Sequence, residues 1–223
     1  MMTHLVTSAA VADACDRLSV PLRAGPAGLT PVLPGHVVVG TALPVKHVDG
    51  VDVFLDAFER ARPGEVLVVD DGGRTDRACL GDLIAAEATV CELAGMVVWG
   101  SHRDTDQLRE IGLPVWSLGA IATGTTHTGQ LSGSEVLFDA YRVDETDLVV
   151  ADSDGVVLVA AETREKVLET AREIMATEAR QAERIRTGQS LRAQLQYADF
   201  AARRRSDPTY TFRDHLRAVR GAI

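Results

Sequence analysis

Cysteine and long apolar runs are scarce in this sequence, and each shortage excludes a class of protein. The 223 residues include three cysteines, Cys15, Cys79 and Cys91, whose spacing matches neither a zinc knuckle nor a disulfide framework. No stretch approaches the roughly 20 consecutive apolar residues that cross a membrane. The first residues, MMTHLVTSAA, lack the basic and apolar regions of a signal peptide. We therefore expect a cytoplasmic protein in a reducing compartment, with no membrane contact.

Positive charge is also in short supply. The chain has 23 Lys and Arg against 32 Asp and Glu, which gives a formal net charge of −9. A chain this acidic repels the phosphate backbone, so the composition argues against nucleic-acid binding. Hydrophobic residues make up 46% of the chain and charged residues 25%, values close to globular averages that allow a sizeable core. The length then suits one large domain, alone or with an appendage.

The common catalytic signatures are missing as well. The sequence contains no GxxxxGK[ST], no GxGxxG after a strand, no GxSxG and no HExxH. ATPase, dehydrogenase, esterase and zinc-peptidase functions therefore lose their usual sequence support.

An alternation of short apolar segments with helical patterns predicts an α/β fold. The segment after residue 135 changes to antiparallel strands joined by hairpin turns, and a long amphipathic helix begins at Thr163. We therefore predict an α/β domain over residues 1–160 and a helical extension over 161–223 that packs on the domain or on a neighbouring subunit. Strands are predicted over 36–41, 65–70, 96–99, 114–117 and 136–159, and helices over 10–18, 51–61, 82–93 and 105–110.

The first candidate binding segment is Gly81-Asp82-Leu83-Ile84, where a predicted strand leads into a helix. The first amide N–H groups of a helix lack partners within it and carry partial positive charge, so a substrate carboxylate can bind there. Gly81 lets an anion approach the backbone closely. The alternative is that Asp82 only caps or complements the helix start, which is a common use of acidic residues.

The second candidate segment is Arg103-Asp104, which follows the next predicted strand. The guanidinium of Arg103 suits a carboxylate, and the hard oxygens of Asp104 suit Mg²⁺ or Mn²⁺. Ligands of open α/β sheets bind beyond the carboxyl ends of the strands, so both segments are expected to face one pocket. The alternative is a surface pair in which Asp104 is the N-cap of the following helix.

Other polar residues carry weaker signals. His102 is interpreted as a polar residue at the rim of the pocket, and the segment 123–129 as a loop, with a flexible lid as the alternative. The remaining histidines show no metal-ligand spacing among themselves. They include His4, His36, His47 and His215.

Several segments together resemble the family that joins 4-hydroxy-4-methyl-2-oxoglutarate/4-carboxy-4-hydroxy-2-oxoadipate aldolases with the regulator of ribonuclease E activity, the RraA-like family. The resemblance covers most of the chain to about residue 160, and it implies a swivelling β/β/α domain. It also implies assembly as a homotrimer or a hexamer, with sites near the subunit boundaries. The segments are AVADACDRLSV, PGEVLVVDDGG, LGDLIAAEA, GSHRDTDQL, LPVWSLG and DLVVADSDGVVLV.

The resemblance also implies roles for individual residues. Gly81, Asp82, Leu83 and Ile84 match the segment that binds substrate, and Asp82 matches the residue that holds a metal-bound water. Arg103 matches the substrate-binding arginine, and Asp104 matches the direct metal ligand.

Two functions are therefore expected from different classes. The first is a divalent-metal-dependent aldolase, with Mg²⁺ or Mn²⁺ as cofactor, that cleaves a small 4-hydroxy-2-oxo acid to pyruvate and also decarboxylates oxaloacetate. In this enzyme Arg103 and Asp82 act as catalytic residues. The second is a non-catalytic trimeric regulator that binds and inhibits a ribonuclease or another protein. The retained pairs Gly81-Asp82 and Arg103-Asp104 favour the enzyme, because a scaffold does not need them.

Overall fold

A computed structural model describes residues 5–48, 50–124 and 135–219 of the chain. By proximity the chain divides into two compact units, one up to Leu168 and one from Glu169. The boundary falls inside a long helix, eight residues beyond the end of the predicted domain at residue 160.

The secondary structure alternates between strands and helices in the first unit and is helical in the second. Within the described residues the strands are β1 (Arg23–Ala24), β2 (Thr30–Pro31), β3 (Val38–Lys46), β4 (Val66–Asp70), β5 (Ala78–Leu80), β6 (Gly95–Trp99), β7 (Ser101–His102), β8 (Val115–Ser117), β9 (Glu135–Phe138), β10 (Tyr141–Asp144), β11 (Leu148–Asp152) and β12 (Gly155–Val159). The α-helices are α1 (Ser8–Leu18), α2 (Asp52–Phe58), α3 (Asp82–Val90), α4 (Thr105–Ile111), α5 (Arg164–Arg186), α6 (Leu191–Gln194), α7 (Tyr197–Ser206) and α8 (Phe212–Val219), and a 3₁₀ turn covers Ala161–Thr163.

The core of the first unit is one mixed sheet with the strand order β1-β12-β11-β3-β4-β6-β8-β2. Strands β3, β4, β6 and β8 are parallel, whereas β11 and β12 form an antiparallel hairpin beside β3. Short helical crossovers connect the parallel strands, as the alternating pattern predicts. The predicted α/β fold with C-terminal helices is therefore confirmed.

Both faces of the sheet are covered, because strand residues alternate between two apolar clusters. In β4, Leu67 and Val69 belong to the cluster that includes Phe54 of α2, whereas Val66 and Val68 belong to the cluster that includes Phe138 of β9. Helices α2 and α3 thus contribute to one face, and the β9–β10 hairpin covers the other. Burial on both sides explains why β4 is an uninterrupted apolar run.

Strand β3 is longer than predicted and begins later. It runs from Val38 to Lys46 rather than over 36–41. Its first half pairs with β11 in the antiparallel direction and its second half pairs with β4 in the parallel direction. Pro44 lies inside the parallel half, and a proline weakens the sequence pattern of a central strand because it has no N–H to donate.

A small second sheet extends beyond the carboxyl ends of the parallel strands. Strands β5 and β7 pair in parallel there. Strand β5 leads directly into Gly81 and α3, and β7 leads directly into Arg103 and α4. The fold therefore brings the two predicted binding segments to the same edge of the main sheet.

The second unit is helical and has a small aromatic cluster. Phe200 and Phe212 pack edge to face with ring centroids 4.9 Å apart. His215 Nε2 lies 2.8 Å from the carbonyl oxygen of Leu195, and its Nδ1 lies 3.3 Å from the hydroxyl of Tyr210. None of the helices in the described ranges is both long and apolar enough to cross a bilayer.

Candidate active site

The first wall of the site is the start of α3. Gly81 is the N-cap, with an extended backbone and no side chain to offer. Asp82 therefore supplies the polar group, and its Oδ1 accepts a 2.8 Å hydrogen bond from the amide of Leu83. Asp82 thus complements the helix start, as the alternative interpretation holds, but its remaining oxygen stays available to a ligand because Asp82 is only half-buried.

The second wall is the segment that follows β7. The amide of Arg103 donates a 3.1 Å hydrogen bond to the carbonyl of Leu80, which ties the segment to β5. Asp104 then adopts a left-handed backbone, with φ of 59°. Such a backbone is unusual for a residue other than glycine, and it redirects the Asp104 side chain.

Asp104 occupies the N-cap position of α4 without acting as its cap. Its side chain makes no capping hydrogen bond to α4. The carboxylate instead faces α3, where Oδ2 lies 3.5 Å from the amide nitrogen of Asp82 and 3.2 Å from Nε of Arg103. The alternative interpretation is therefore met in part: Arg103 and Asp104 form an ion pair and Asp104 holds the N-cap position, but its side chain does not cap α4.

Gly81 leaves the space that the Asp104 carboxylate occupies. A Cβ atom at position 81 would lie 2.3 Å from Oδ2 of Asp104 and 3.2 Å from Cγ of Arg103. A contact of 2.3 Å does not occur between real atoms, so any side chain at this position displaces the carboxylate. Glycine is thus required here by close approach, and not by its own backbone angles.

Gly81, Asp82 and Arg103 border an open cleft of about 800 Å³, whereas Asp104 lies behind them and is not among the residues that line it. Leu83 is 79% exposed and borders the cleft with its side chain, whereas Ile84 is 8% exposed and packs into the core. The side chain of Ile84 thus belongs mainly to the core. The lining comprises Gly50, Val51, Asp52, Leu55, Ala78, Cys79, Leu80, Gly81, Asp82, Leu83, Ile84, Ala86, Glu87, Val90, Arg103 and Gly124.

The sequence patterns missed Gly124, which faces the guanidinium of Arg103. A Cβ atom at position 124 would lie 2.6 Å from Nη1 of Arg103. The carbonyl of Thr123 accepts a 2.7 Å hydrogen bond from the amide of Ala78, which fixes this backbone beside β5. The rest of the segment 123–129, predicted as a loop or lid, lies outside the described residues.

His102 is buried beside the site and does not lie at the rim of the pocket. Its side chain is buried, with Nδ1 2.7 Å from the hydroxyl of Ser117 and Nε2 3.0 Å from the hydroxyl of Thr105. Burial and, to a smaller extent, the charge of Arg109 lower the pKa of His102, against an opposing effect of Asp104. A neutral imidazole is therefore favoured, and it links β7 to β8 and to the start of α4.

A second cluster of chemical groups escaped the sequence analysis. His47 follows β3, Asp71 follows β4 and Cys79 lies in β5, and all three are buried. Nδ1 of His47 lies 2.7 Å from Oδ1 of Asp71. Burial and the charge of Asp71 raise the pKa of the Cys79 thiol well above its usual range. No spacing pattern predicts this cluster, because its members come from three separate segments.

Comparison with known proteins identifies the family. The family model described as RraA-like, Aldolase/RraA, matches residues 8–158, and this range contains every residue of the candidate site. The chain belongs to the RraA-like family. The resemblance stated from the sequence motifs is thereby confirmed, together with the swivelling β/β/α fold that it implies.

Relatives in the RraA-like family carry names from both of its functional branches. A Halalkalibacterium halodurans protein named "Putative 4-hydroxy-4-methyl-2-oxoglutarate aldolase" is 30% identical over 146 residues, which cover 65% of this chain and 70% of that protein. The crystal structure of Streptomyces coelicolor RraAS2, described as an unusual member of the RNase ES inhibitor RraA family, has a TM-score of 0.69 at 27% identity and covers 78% of this chain and 90% of its own. A structure from Pseudomonas syringae pv. tomato reaches a TM-score of 0.71 at 26% identity, covering 83% of this chain and 90% of its own.

Proposed function

We propose that this chain is a divalent-metal-dependent lyase that cleaves a 4-hydroxy-2-oxo acid, such as 4-hydroxy-4-methyl-2-oxoglutarate, to pyruvate. The observation that carries the proposal is the Asp104 carboxylate, which leaves its own helix uncapped and faces the start of α3 beside Arg103. This position places a carboxylate between the two candidate segments, next to the amide of Asp82 and the guanidinium of Arg103. The aldolase names of the relatives support the same reaction class.

The residues present fit a divalent cation. Asp104 and Asp82 offer carboxylate oxygens, which Mg²⁺ and Mn²⁺ prefer. Gly81 leaves the space in which Oδ2 of Asp104 lies, and Arg103 balances only one of the two negative charges. Asp104 would bind the cation directly, and Asp82 would contribute through water. When bound, the cation supplies Lewis-acid stabilisation of the charge that develops on the leaving enolate.

Arg103 would bind the substrate carboxylate. Its side chain is 51% exposed at the cleft, and Gly124 keeps the approach to Nη1 free of side-chain atoms. A planar guanidinium can bind a carboxylate through two parallel hydrogen bonds. Arg103 therefore orients the 2-oxo acid and offsets part of its negative charge.

Asp82 would handle the proton of the 4-hydroxyl group. In the cleavage the C3–C4 bond breaks, and its electron pair stays on the pyruvate fragment as an enolate. The hydroxyl proton leaves as the C4 oxygen becomes a carbonyl. We assign this proton to the Asp82 carboxylate, which would accept it through a water that it holds and would return it through the same water to C3 of the enolate. Loss of carbon dioxide from oxaloacetate yields the same enolate, so we expect that activity as well.

The oligomer is part of the proposal. Leu83 and Val90 border the cleft from α3 and are 79% and 75% exposed, and Leu55 borders it from α2 at 51% exposure. Apolar groups exposed side by side are typical of an interaction surface. We propose that this surface lies at a subunit boundary of a homotrimer or hexamer.

A regulator without catalytic activity is the competing function, supported by the RraA name of the Streptomyces relative. Such a protein would act through surface contacts, and its net charge of −9 would suit a basic partner. It has no need of a carboxylate held against Gly81. The two functions therefore differ in whether Asp104 matters chemically.

A pyruvate-release assay separates them. It uses 4-hydroxy-4-methyl-2-oxoglutarate and oxaloacetate, each with Mg²⁺ and with EDTA, and subtracts the rate without protein. We expect turnover that EDTA abolishes and that Asp104→Ala lowers roughly 100-fold or more, because a metal ligand is lost. Arg103→Ala is expected to raise KM by roughly 10- to 100-fold, the range for a lost charged hydrogen bond.

The matched control for Asp104→Ala is Asp106→Ala, two residues further along the same segment. The side chain of Asp106 is 84% exposed and forms an ion pair with Arg109, so its loss should leave turnover unchanged. Turnover that persists in EDTA, or equal rates in the two variants, would overturn the proposed function.

A further inference from the structure

His47, Asp71 and Cys79 form a compact set of metal-ligating groups that the proposed lyase chemistry does not use. Each residue offers one donor atom, and the three donor atoms lie within 4.8 Å of one another. The side chains of His47 and Asp71 are 0% and 2% exposed, and Cys79 as a whole is 2% exposed. Three different types of donor are therefore brought together in the interior.

Two buried polar atoms of this cluster have no hydrogen-bond partner within the described part of the chain. They are Nε2 of His47 and Oδ2 of Asp71. Buried polar atoms are nearly always paired, so two orphaned atoms on adjoining residues of one cluster call for a specific cause. A bound cation would be such a cause, because it accepts lone pairs from nitrogen, oxygen and sulfur atoms alike.

We propose that His47, Asp71 and Cys79 bind a zinc ion. Imidazole, thiolate and carboxylate together suit Zn²⁺, which accepts nitrogen, sulfur and oxygen ligands in a tetrahedral arrangement. The set does not suit Mg²⁺, which binds oxygen atoms almost alone. This site thus differs in metal class from the one proposed at Asp104. A tetrahedral ion with three protein ligands keeps a fourth position for water or for an oxygen atom of a molecule in the cleft, which Cys79 borders.

The bound ion would connect the two chain segments that form the walls of the cleft. Cys79 lies two residues before Gly81 in the same strand-to-helix segment. Asp71 contacts the backbone that leads to Arg103, because a Cβ atom at Gly100 would lie 2.7 Å from Cβ of Asp71. A zinc ion at Cys79 and Asp71 therefore connects the segments that carry Gly81 and Arg103.

The experiment uses the full chain with Cys15→Ser and Cys91→Ser, so that Cys79 is its only cysteine. After removal of metal with a chelator, Co²⁺ is added as a spectroscopic probe and Zn²⁺ as a competitor. We expect an intense near-ultraviolet band from cobalt bound to thiolate, its loss when Zn²⁺ is added, and a higher midpoint of thermal unfolding with Zn²⁺.

Two further variants locate the ion. Cys79→Ser should lose the thiolate band, and His47→Gln should bind Co²⁺ roughly 10- to 100-fold more weakly, whereas Asp104→Asn should keep the band unchanged. If Asp104→Asn keeps the thiolate band, the zinc site is separate from the lyase centre, because the same variant is expected to lose pyruvate release. A single-cysteine protein without the band, or a band that disappears in Asp104→Asn, would overturn the proposal. The cobalt measurement on the single-cysteine protein changes no residue of the site, so it tests the proposal even if Cys79→Ser does not fold.

Discussion

At the scale of single residues, the proposed chemistry depends on where the Asp104 carboxylate points. The left-handed backbone at Asp104 turns the side chain away from α4, and the missing side chain at Gly81 leaves the space that it enters. Neither condition is sufficient alone, because a cap at α4 or a methyl group at position 81 would each remove the carboxylate from its place. The pair Gly81 and Asp104 therefore acts as one unit.

This coupling predicts the effect of Gly81→Ala. The added methyl group would lie 2.3 Å from Oδ2 of Asp104, so the carboxylate must move. We expect the Mg²⁺ concentration for half-maximal pyruvate release to rise about 10- to 100-fold. The midpoint of thermal unfolding should change little, because the extended backbone of Gly81, with φ of −144°, is open to alanine. An unchanged Mg²⁺ dependence would show that the contact has no role in metal binding.

At the scale of elements, one face of α3 packs into the core and the other borders the cleft. Ile84 packs among the apolar residues of the core, whereas its neighbour Leu83 is 79% exposed at the cleft. Successive helix residues point about 100° apart, so one side chain can face the core while its neighbour faces the cleft. The substrate-binding segment named from the sequence thus contains one residue whose side chain is structural.

Alanine substitutions at Ile84 and Leu83 distinguish the residue that stabilises the core from the one that borders the cleft. Ile84→Ala should lower the free energy of unfolding by about 2–5 kcal/mol, the usual cost of truncating a buried aliphatic side chain. Leu83→Ala should lower it by much less, because Leu83 is not part of the core of its own unit, and should alter KM for the substrate instead. Urea unfolding and steady-state kinetics measure the two effects. Equal destabilisation by both substitutions would contradict the orientation of α3.

The turn between β10 and β11 predicts a dependence of stability on pH. The side-chain hydroxyl and the amide of Thr146 donate hydrogen bonds of 2.6 and 2.8 Å to Oδ1 of Asp144. They hold the pKa of the Asp144 carboxyl below its ordinary value. The unfolded chain then binds the proton more readily than the folded chain, so this contribution is present above about pH 4 and is lost as the pH falls further.

Asp144→Asn tests this sign. The variant should be less stable than the unsubstituted chain at about pH 6, and the difference should shrink towards about pH 3.5 as Asp144 becomes protonated. Comparing urea midpoints of the two proteins at each pH cancels the titration of all other groups. A difference that stays constant, or grows, as the pH falls would contradict the hydrogen-bonded turn.

Sequence patterns predicted strands with continuous apolar runs well, but they misplaced β3 and missed β5 and β7. Strands β4 and β6 match within one residue because continuous apolar runs between polar turns leave few alternatives. Strands β5 and β7 have three and two residues, which is too short for any periodicity to appear. Yet these short strands position Gly81 and Arg103, so the local geometry of the site could not be derived from pattern alone.

At the scale of the whole molecule, the topology of the sheet determines which residues meet. The rule that ligands bind beyond the carboxyl ends of parallel strands predicted that the two segments would share a pocket, and Gly81, Asp82, Leu83, Ile84 and Arg103 border one cleft. The rule could not predict the contributions of α2, Gly124 or the cluster of His47, Asp71 and Cys79. Those depend on strand register and on loop paths, which only the three-dimensional structure contains.

The proposed assembly predicts the effect of a charge on the apolar rim. Val90 is 75% exposed at the end of α3, and Val90→Glu would bury an unpaired carboxylate in a subunit boundary. We expect the unsubstituted chain to sediment as a trimer or hexamer and Val90→Glu as smaller species. Leu137→Glu, at a residue 57% exposed outside the cleft, is the control. Identical sedimentation of Val90→Glu and the unsubstituted chain would place the boundary elsewhere.

The most direct test of the central claim uses pyruvate alone, because every proposed substrate passes through its enolate. An enzyme that stabilises this enolate exchanges the methyl protons of pyruvate for deuterium in D₂O, and proton NMR follows the loss of the methyl signal. The account predicts rapid exchange with Mg²⁺, exchange at the rate without protein when EDTA is present, and the same low rate in Asp104→Ala. Exchange by the Mg²⁺-loaded protein no faster than without protein, or equally fast in Asp104→Ala, would contradict it.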